Sequence, residues 1–342
     1  MAELEGMTDD DQLSAERNQS RPVQGYGEGK MKRLATILFV LMIAAIISGC
    51  GTSSAFSEGD LETTSNFPQI HEDASVSYLG PAGTYTEEAA QFFFPTAGNL
   101  LPKATVEEAI ADVVCGNADY AVIPQENTLG GAVTNYVDAL IAEDGIYVVG
   151  EVILPINQTL MGVSGASVDD VQIVCSHAQG ITQSAEWRKE HMPKAVTQEM
   201  PSTAAAASYV AETGDKTIAA IAAPGAAKIY GLTILAENVQ ITDANKTRFY
   251  VLSSSRLEEE PQPHAIFVAN CEASRIDDSI VEIHNTGLEL VTIHDRPEGS
   301  QLGTYNYVIE VENPNGISEK QVEKLEANPE IRFLGGFDVI EK

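Results

Sequence analysis

Basic residues are scarce. The 342-residue chain carries 20 lysines and arginines against 50 aspartates and glutamates, a formal net charge of −30. A field of that sign repels phosphate backbones and acidic lipid, which excludes nucleic-acid or membrane-surface binding by bulk attraction. An anionic ligand would need a local exception to that field. Cysteine is also sparse: among Cys50, Cys115, Cys175 and Cys271 there is no CxxC pair, and no histidine lies at metal-ligand spacing from them. Zinc-finger and CxxC redox chemistry are therefore excluded. Cys115, Cys175 and Cys271 read as small apolar residues inside strands or helices. The apolar run Leu34–Ile46 is too short to span a bilayer comfortably as a helix.

That run has a different use. It follows Lys32 and Arg33 and leads into "ISGC", Ile47–Cys50. A basic start, an apolar stretch, small residues and a cysteine form the pattern of a bacterial lipoprotein signal. Residues 31–50 are expected to be that signal, with Cys50 lipidated and anchoring an exported protein to the outer side of the cell membrane. An uncleaved membrane anchor is the rival reading. Residues 1–30 form a polar prefix, with translation expected to begin at Met31. Residues 51–75, rich in Ser, Thr, Gly and Glu, read as a flexible tether.

From Val76 onward short apolar runs alternate with amphipathic ones. "SVSYLG" predicts a strand running into a turn at Gly80, Pro81 and Gly83, then a helix capped by Thr84 or Thr86. "TVEEAIADVVCG" predicts a helix ended by Gly116, and "ADYAVIPQEN" a buried strand ending in a polar loop. "GGAVTNYVDALIAE" predicts a helix that opens on Gly130 and Gly131, and "GIYVVGEVILPINQTLMGV" a strand pair. Strand, polar loop and helix then recur up to "KTRFYVLSSS". This alternation predicts α/β architecture with ligand loops at the C-terminal ends of strands. A Pro-rich, charged linker follows at about residues 258–264. The remainder, residues 264–342, has the βαββαβ order of a ferredoxin-like unit.

The loops read, in order, "GPAGTYTEEAA", "IPQENTLGGAV", "SHAQGITQ", "STAAAA", "AAIAAPGAAKIYG", "LAENVQ" and "NKTRFYVL". In this order and spacing they resemble the prephenate dehydratase family, over residues 76–256. The C-terminal unit resembles the ligand-sensing ACT domain that usually follows. The resemblance implies a two-lobed, periplasmic-binding-protein-like catalytic domain. Ala178 stands where the family has Pro, Thr86 and Thr128 where it has Ser, and "RIDDSIVEI" where its sensory domain has a Gly-Ala-Leu element.

What the resemblance implies for chemistry is specific. Prephenate is a dianion with a ring hydroxyl opposite a quaternary carbon. Loss of CO2 and hydroxide aromatises the ring to phenylpyruvate, and the barrier lies in expelling hydroxide. Thr247 is implied as donor to that hydroxyl, with Glu126 and Asn127 as catalytic partners. Gly83, Thr84, Thr86, Thr128, Ser176, His177, Gln179, Gln183, Ser202, Thr203, Arg248 and Phe249 are implied substrate contacts. Because Thr247 and Arg248 are strand neighbours, period two aims them at opposite faces, with Thr247 expected in the pocket and Arg248 expected either to reach a carboxylate or to pin the adjacent Glu126 loop. With few cations available, backbone N–H groups at helix starts are expected to hold the dianion, Gly83, Gly130 and Gly131 among them. No metal or organic cofactor is implied. "HDRP", His294, Asp295, Arg296 and Pro297, stands where the family has Glu-Ser-Arg-Pro and is the candidate effector site for phenylalanine. A homodimer or homotetramer is expected. Two alternatives stay open: arogenate as substrate, and a non-catalytic lipoprotein receptor for an aromatic acid.

Overall fold

The first lobe is built from β1 (Ser75–Leu79), α1 (Tyr85–Phe93), β2 (Asn99–Lys103), α2 (Val106–Val114), β3 (Tyr120–Asn127), β4 (Gly131–Ala132), α3 (Thr134–Ala142) and β5 (Tyr147–Pro155). The computed structural model describes residues 73–256 and 261–342; residues 1–72, with the prefix, the signal, Cys50 and most of the tether, lie outside the described residues, and the tether ends earlier than expected because Ser75 already opens β1. Helices begin where caps demand. Thr84 accepts from the Glu87 amide and Thr105 from the Glu108 amide, and two glutamates follow each cap on the positive end of the helix. α3 is different: it starts at Thr134 with Val133 at its cap, and Gly131 belongs to the short strand β4. The helix therefore does not open on the glycines, because Gly131 with φ +73° turns the chain back as a hairpin onto Glu126 and Asn127.

The second lobe holds β6 (Thr159–Gly162), β7 (Ile173–Ser176), α4 (Ala178–Gln183), α5 (Ala185–His191), β8 (Val196–Glu199), α6 (Thr203–Thr213), β9 (Ile218–Ala222), α7 (Pro224–Tyr230) and β10 (Thr233–Ala236). Its sheet has the order β10-β6-β9-β7-β8. The chain then returns to the first lobe as β11 (Lys246–Ser253), which lies antiparallel between β3 and β5. The predicted β5–β6 pair does not form: β5 lies in the first sheet and β6 in the second. The chain thus crosses between lobes twice, at residues 156–158 and 237–245, which makes a hinged two-lobed fold of the periplasmic-binding-protein type. A buried knot ties the crossings together. Gln183 Oε1 accepts from Gln158 Nε2 at 3.1 Å and from Asn245 Nδ2 at 3.1 Å.

A third unit follows: β12 (Gln262–Glu272), α8 (Ile276–Asn285), β13 (Glu289–Pro297), β14 (Thr304–Ile317), α9 (Glu319–Glu326) and β15 (Ile331–Phe337). Its sheet order β13-β14-β12-β15, antiparallel throughout, is the ferredoxin-like arrangement of an ACT domain. One face is covered by its own helices. The other packs on the first lobe, where Ile266, Val268, Val308, Leu334 and Phe337 share one core with Tyr136, Leu140, Val148 and Tyr250. The chain ends as β16 (Val339–Glu341), which adds in parallel to β5, so the last residues of the third unit complete the sheet of the first. Cys175 and Cys271 are buried as small apolar residues, while Cys115 lies exposed just past the end of α2.

The sharpest contact between the two sheets is at Gly335, whose φ is +133°; a Cβ there would collide with the backbone carbonyl and amide of Val148 in β5. Gly335→Ala is expected to lower stability by more than the ~1–3 kcal/mol usual for overpacking, because the obstacle is backbone and cannot rotate away. A urea unfolding series on the two proteins measures this.

Candidate active site

The cleft between the lobes holds an open cavity of about 290 Å3, close to the lower bound of ~300 Å3 for small-molecule sites. The first lobe contributes Leu79, Gly80, Thr84, Tyr85, Thr86, Pro124, Asn127, Val133, Thr247 and Phe249. The hinge contributes Ile156 and Gln158, and the second lobe His177, Gln179, Gly180, Gln183, Pro201, Ser202 and Thr203. Among these lining residues none is Lys, Arg, Asp or Glu. In a chain of net charge −30 this is the local exception an anion requires.

Three helices present their starts to it. Thr84 caps α1, His177 caps α4 and Ser202 caps α6, and all three caps line the cavity. The first-turn amides of a helix have no acceptor within the helix, so the starts of α1 and α6 offer N–H groups and positive dipole ends from opposite lobes. The cap hydroxyls are already engaged. Thr84 Oγ1 accepts from Glu87 and donates to the Leu79 carbonyl, and Ser202 Oγ accepts from the Ala205 amide.

Thr247 lies at the end of the cleft, 8 % exposed, opposite Asn127 in the β3–β11 register. Asn127 Nδ2 donates to Thr247 Oγ1 at 2.9 Å and to Asn245 Oδ1 at 2.8 Å. Its Oδ1 accepts from the Leu129 and Gly130 amides and, across the cleft, from Gln179 Nε2 at 3.0 Å. Asn127 is therefore fixed on both sides. Because Thr247 Oγ1 accepts from Asn127, its own proton is free to turn toward an acceptor in the cavity. Phe249, Leu79, Pro124, Val133 and Ile156 supply apolar walls. Tyr85 closes the side near the hinge, donating to the Asn157 carbonyl at 2.9 Å; burial raises its pKa, so the phenol stays protonated.

Several residues expected in the site lie elsewhere. The Gly83 amide is taken by Glu87 Oε2 at 2.6 Å. Gly130 spends its amide on Asn127, and Gly131 lies in β4, so neither opens a helix onto the cavity. Thr128 is locked onto the backbone of Lys246. Ser176 is buried and donates to the Ile221 carbonyl at 2.7 Å, which holds β7 to β9. Glu126 and Arg248 form the next cross-strand pair after Asn127 and Thr247, but on the opposite face of the sheet. Arg248 does not line the cleft, and Glu126 stands 3.7 Å from its guanidinium. His294 and Arg296 face α3: the His294 ring meets Tyr136 edge-on, and Arg296 forms a bidentate pair with Asp138. Neither they nor Asp295 and Pro297 line the small apolar cavity of that domain, formed by Ile280, Ile283, His284, Leu288 and Leu290.

What sequence reasoning missed is the main partners of Arg248, Glu151 and Glu310. Arg248 makes bidentate contact with Glu151 (2.7 and 2.6 Å) and a second contact with both oxygens of Glu310 (2.6 and 2.8 Å). Burial works against the guanidinium charge, but Glu151 and Glu310 outweigh it and hold the pKa above its usual value. Glu151 and Glu310 are 0 % and 1 % exposed. Burial, opposed by Arg248 and reinforced by Glu310 and Glu126, pushes Glu151 up to about 7. The available signal was Glu151 itself, a lone acid inside the apolar run "YVVGEVILP".

A hinged α/β protein with a cation-free polar cleft and a fused ACT domain is the class these features define. The family model for prephenate dehydratase matches residues 76–256. A bifunctional chorismate mutase/prephenate dehydratase of Aquifex aeolicus is 30% identical over 269 residues, covering 78% of this chain and 73% of that protein. The crystal structure of prephenate dehydratase from Arthrobacter aurescens in complex with L-Phe superposes with a TM-score of 0.69 at 28% identity, covering 77% of this chain and 89% of that one. GqqA, described as a novel type of quorum-quenching acylase, superposes with a TM-score of 0.70 at 25% identity, covering 78% and 98%. The chain belongs to the prephenate dehydratase family.

Proposed function

We propose that this protein is a prephenate dehydratase in which Thr247 donates to the departing hydroxyl. The observation that carries this reading is the Asn127–Thr247 pair at 2.9 Å, set in a cavity without a lining carboxylate. Since one solved neighbour is described as an acylase, the cleft's residues are the argument and the fold is not.

The electrons of the breaking bond between ring and carboxylate flow into the ring, CO2 leaves, and the C–O bond at the opposite carbon breaks. The departing oxygen takes a proton, released as water. Thr247 hydrogen-bonds that oxygen and passes it the proton as the C–O bond breaks, and solvent returns a proton to Thr247 Oγ1. A free Thr hydroxyl is a very weak acid, so its contribution is a held, desolvated hydrogen bond that strengthens as charge develops. Asn127 aims it. The starts of α1 and α6 meet the carboxylates, and Phe249 with the apolar walls meets the ring. No step uses a cofactor. By the same reading L-Phe, bound in the Arthrobacter protein, is the candidate effector of the ACT domain here.

The test is direct: incubate the purified protein with prephenate and follow phenylpyruvate absorbance. Tight prephenate binding with no phenylpyruvate would make the chain a receptor instead. Asn127→Ala is expected to lower kcat by about 10²-fold, the effect of one preorganised donor. It also removes the Gln179 link between lobes, so KM should rise as well; steady-state kinetics separates the two.

A further inference from the structure

The β3–β11 ladder carries two adjacent cross-strand pairs on opposite faces. Asn127–Thr247 faces the cleft and Glu126–Arg248 faces the ACT domain. A bulge follows at once, since Arg248 is opposite Glu126 but Phe249 is opposite Pro124. The extra residue, Gln125, lets two consecutive side chains serve the ACT side. Gln125 Nε2 donates to Tyr250 Oη at 2.7 Å while Glu126 faces Arg248, and Pro124 and Asn127 both line the cleft. The bulge therefore fixes which side chains reach the cleft; β3 and β5 hold the β11 backbone on both sides, and Arg248 is the side chain that anchors it on the ACT side directly beside the bulge.

Arg248 is held from two domains. Glu151 grips it from the neighbouring strand β5, and Glu310 from β14 of the ACT domain. Glu310 is further tied by Tyr250 Oη at 3.2 Å, with His264 Nδ1 3.7 Å away. The apolar core that joins the two domains already runs through Tyr250, Ile266, Val308 and Phe337. A buried carboxylate in such a core is costly unless well paired, and what an ion pair adds to burial is a fixed position.

We infer that Glu310 is a positioning residue for the cleft: through Arg248 it sets the β11 backbone at Thr247, and with it the direction of the Thr247 hydroxyl. The sensory domain thereby contributes to the site without touching substrate. This rests on the reading of the cleft as a dehydratase site.

The test compares the full chain with Glu310→Gln and with Asp138→Asn, which removes the exposed Asp138–Arg296 ion pair between the same two domains. Two readouts are taken. Glu310→Gln should lower kcat for phenylpyruvate formation about tenfold with KM within twofold, the mark of a misdirected donor; small displacements cost this much or more. Asp138→Asn should change neither. By hydrogen–deuterium exchange, the peptide spanning residues 245–249 should exchange several-fold faster in Glu310→Gln and at the wild-type rate in Asp138→Asn. Unchanged exchange in Glu310→Gln overturns the inference whether or not the protein is active. So does faster exchange with an unchanged kcat, or an equal loss of kcat in Asp138→Asn. If the wild-type protein makes no phenylpyruvate, the dehydratase reading fails, and the exchange data alone decide whether Glu310 orders the cleft.

Discussion

Thr247→Val is expected to lower kcat for phenylpyruvate formation by about 10²–10⁴-fold, the range a positioned proton donor contributes. The substitution keeps shape and removes the hydroxyl. It leaves the fold in place for a reason visible in the site: Asn127 Nδ2 retains two other acceptors, Asn245 Oδ1 at 2.8 Å and the Lys246 carbonyl at 3.2 Å, so no buried donor is orphaned. KM should change little, because on the proposed reading the carboxylates of prephenate are met by the starts of α1 and α6 and not by Thr247. Thr247→Ser, which keeps a hydroxyl in reach of Asn127, should recover most of the rate. Saturating-substrate kinetics on the three proteins separates these outcomes. A Thr247→Val protein with near-normal kcat would move the donor role to another cavity group, His177 first, since it is the imidazole lining that space.

The alternation of apolar runs with capped helices is enough to read both α/β lobes and the βαββαβ order, because caps and periodicity are local. Thr84, Thr105 and Ser202 show this: each is a cap in the structure for the reason its neighbours imply. Nonlocal features are not legible. "GIYVVGEVILPINQTLMGV" looks like a hairpin because nothing in it marks that β5 and β6 join different sheets. β16 is three residues whose partner strand is almost 200 positions earlier. In the site, period two correctly separates Thr247 from Arg248. The same alternation separates Glu126 from Asn127, which the family resemblance groups together as catalytic partners. One step further back the alternation breaks, because the bulge puts Gln125 and Glu126 on the same side. Gly130 and Gly131 mislead for a different reason: glycines before an amphipathic run look like a helix start, and only the pairing of β4 with β3 reveals a hairpin. The lipoprotein reading of Cys50 rests on sequence alone and remains a proposal, checked by mass spectrometry of the mature N-terminus.

Arg248→Met should strongly destabilise the domain junction. Methionine fills the volume but leaves Glu151 and Glu310 buried at 0 % and 1 % exposure without their cation. Breaking a buried pair in this way costs about 3–5 kcal/mol. The loss is expected to depend on pH with a definite sign. Glu151 is raised from 4.5 to about 7 in the folded protein, so between those values the folded state holds a proton that the unfolded state has released. Stability from this group is therefore full below about pH 4.5 and lost as pH rises through about 7, a swing of roughly 3 kcal/mol. Without Arg248 the Coulomb attraction that lowers this pKa disappears, the carboxyl keeps its proton to higher pH, and ionising it becomes more costly. Wild type and Arg248→Met should thus differ least near pH 5 and most near pH 8. Thermal melts at the two pH values measure this. At pH 8 a loss of that size corresponds to a fall in Tm of about 10 °C. Equal Tm differences at both pH values would mean that the charge facing Arg248 does not change between pH 5 and pH 8, and would overturn the raised value for Glu151.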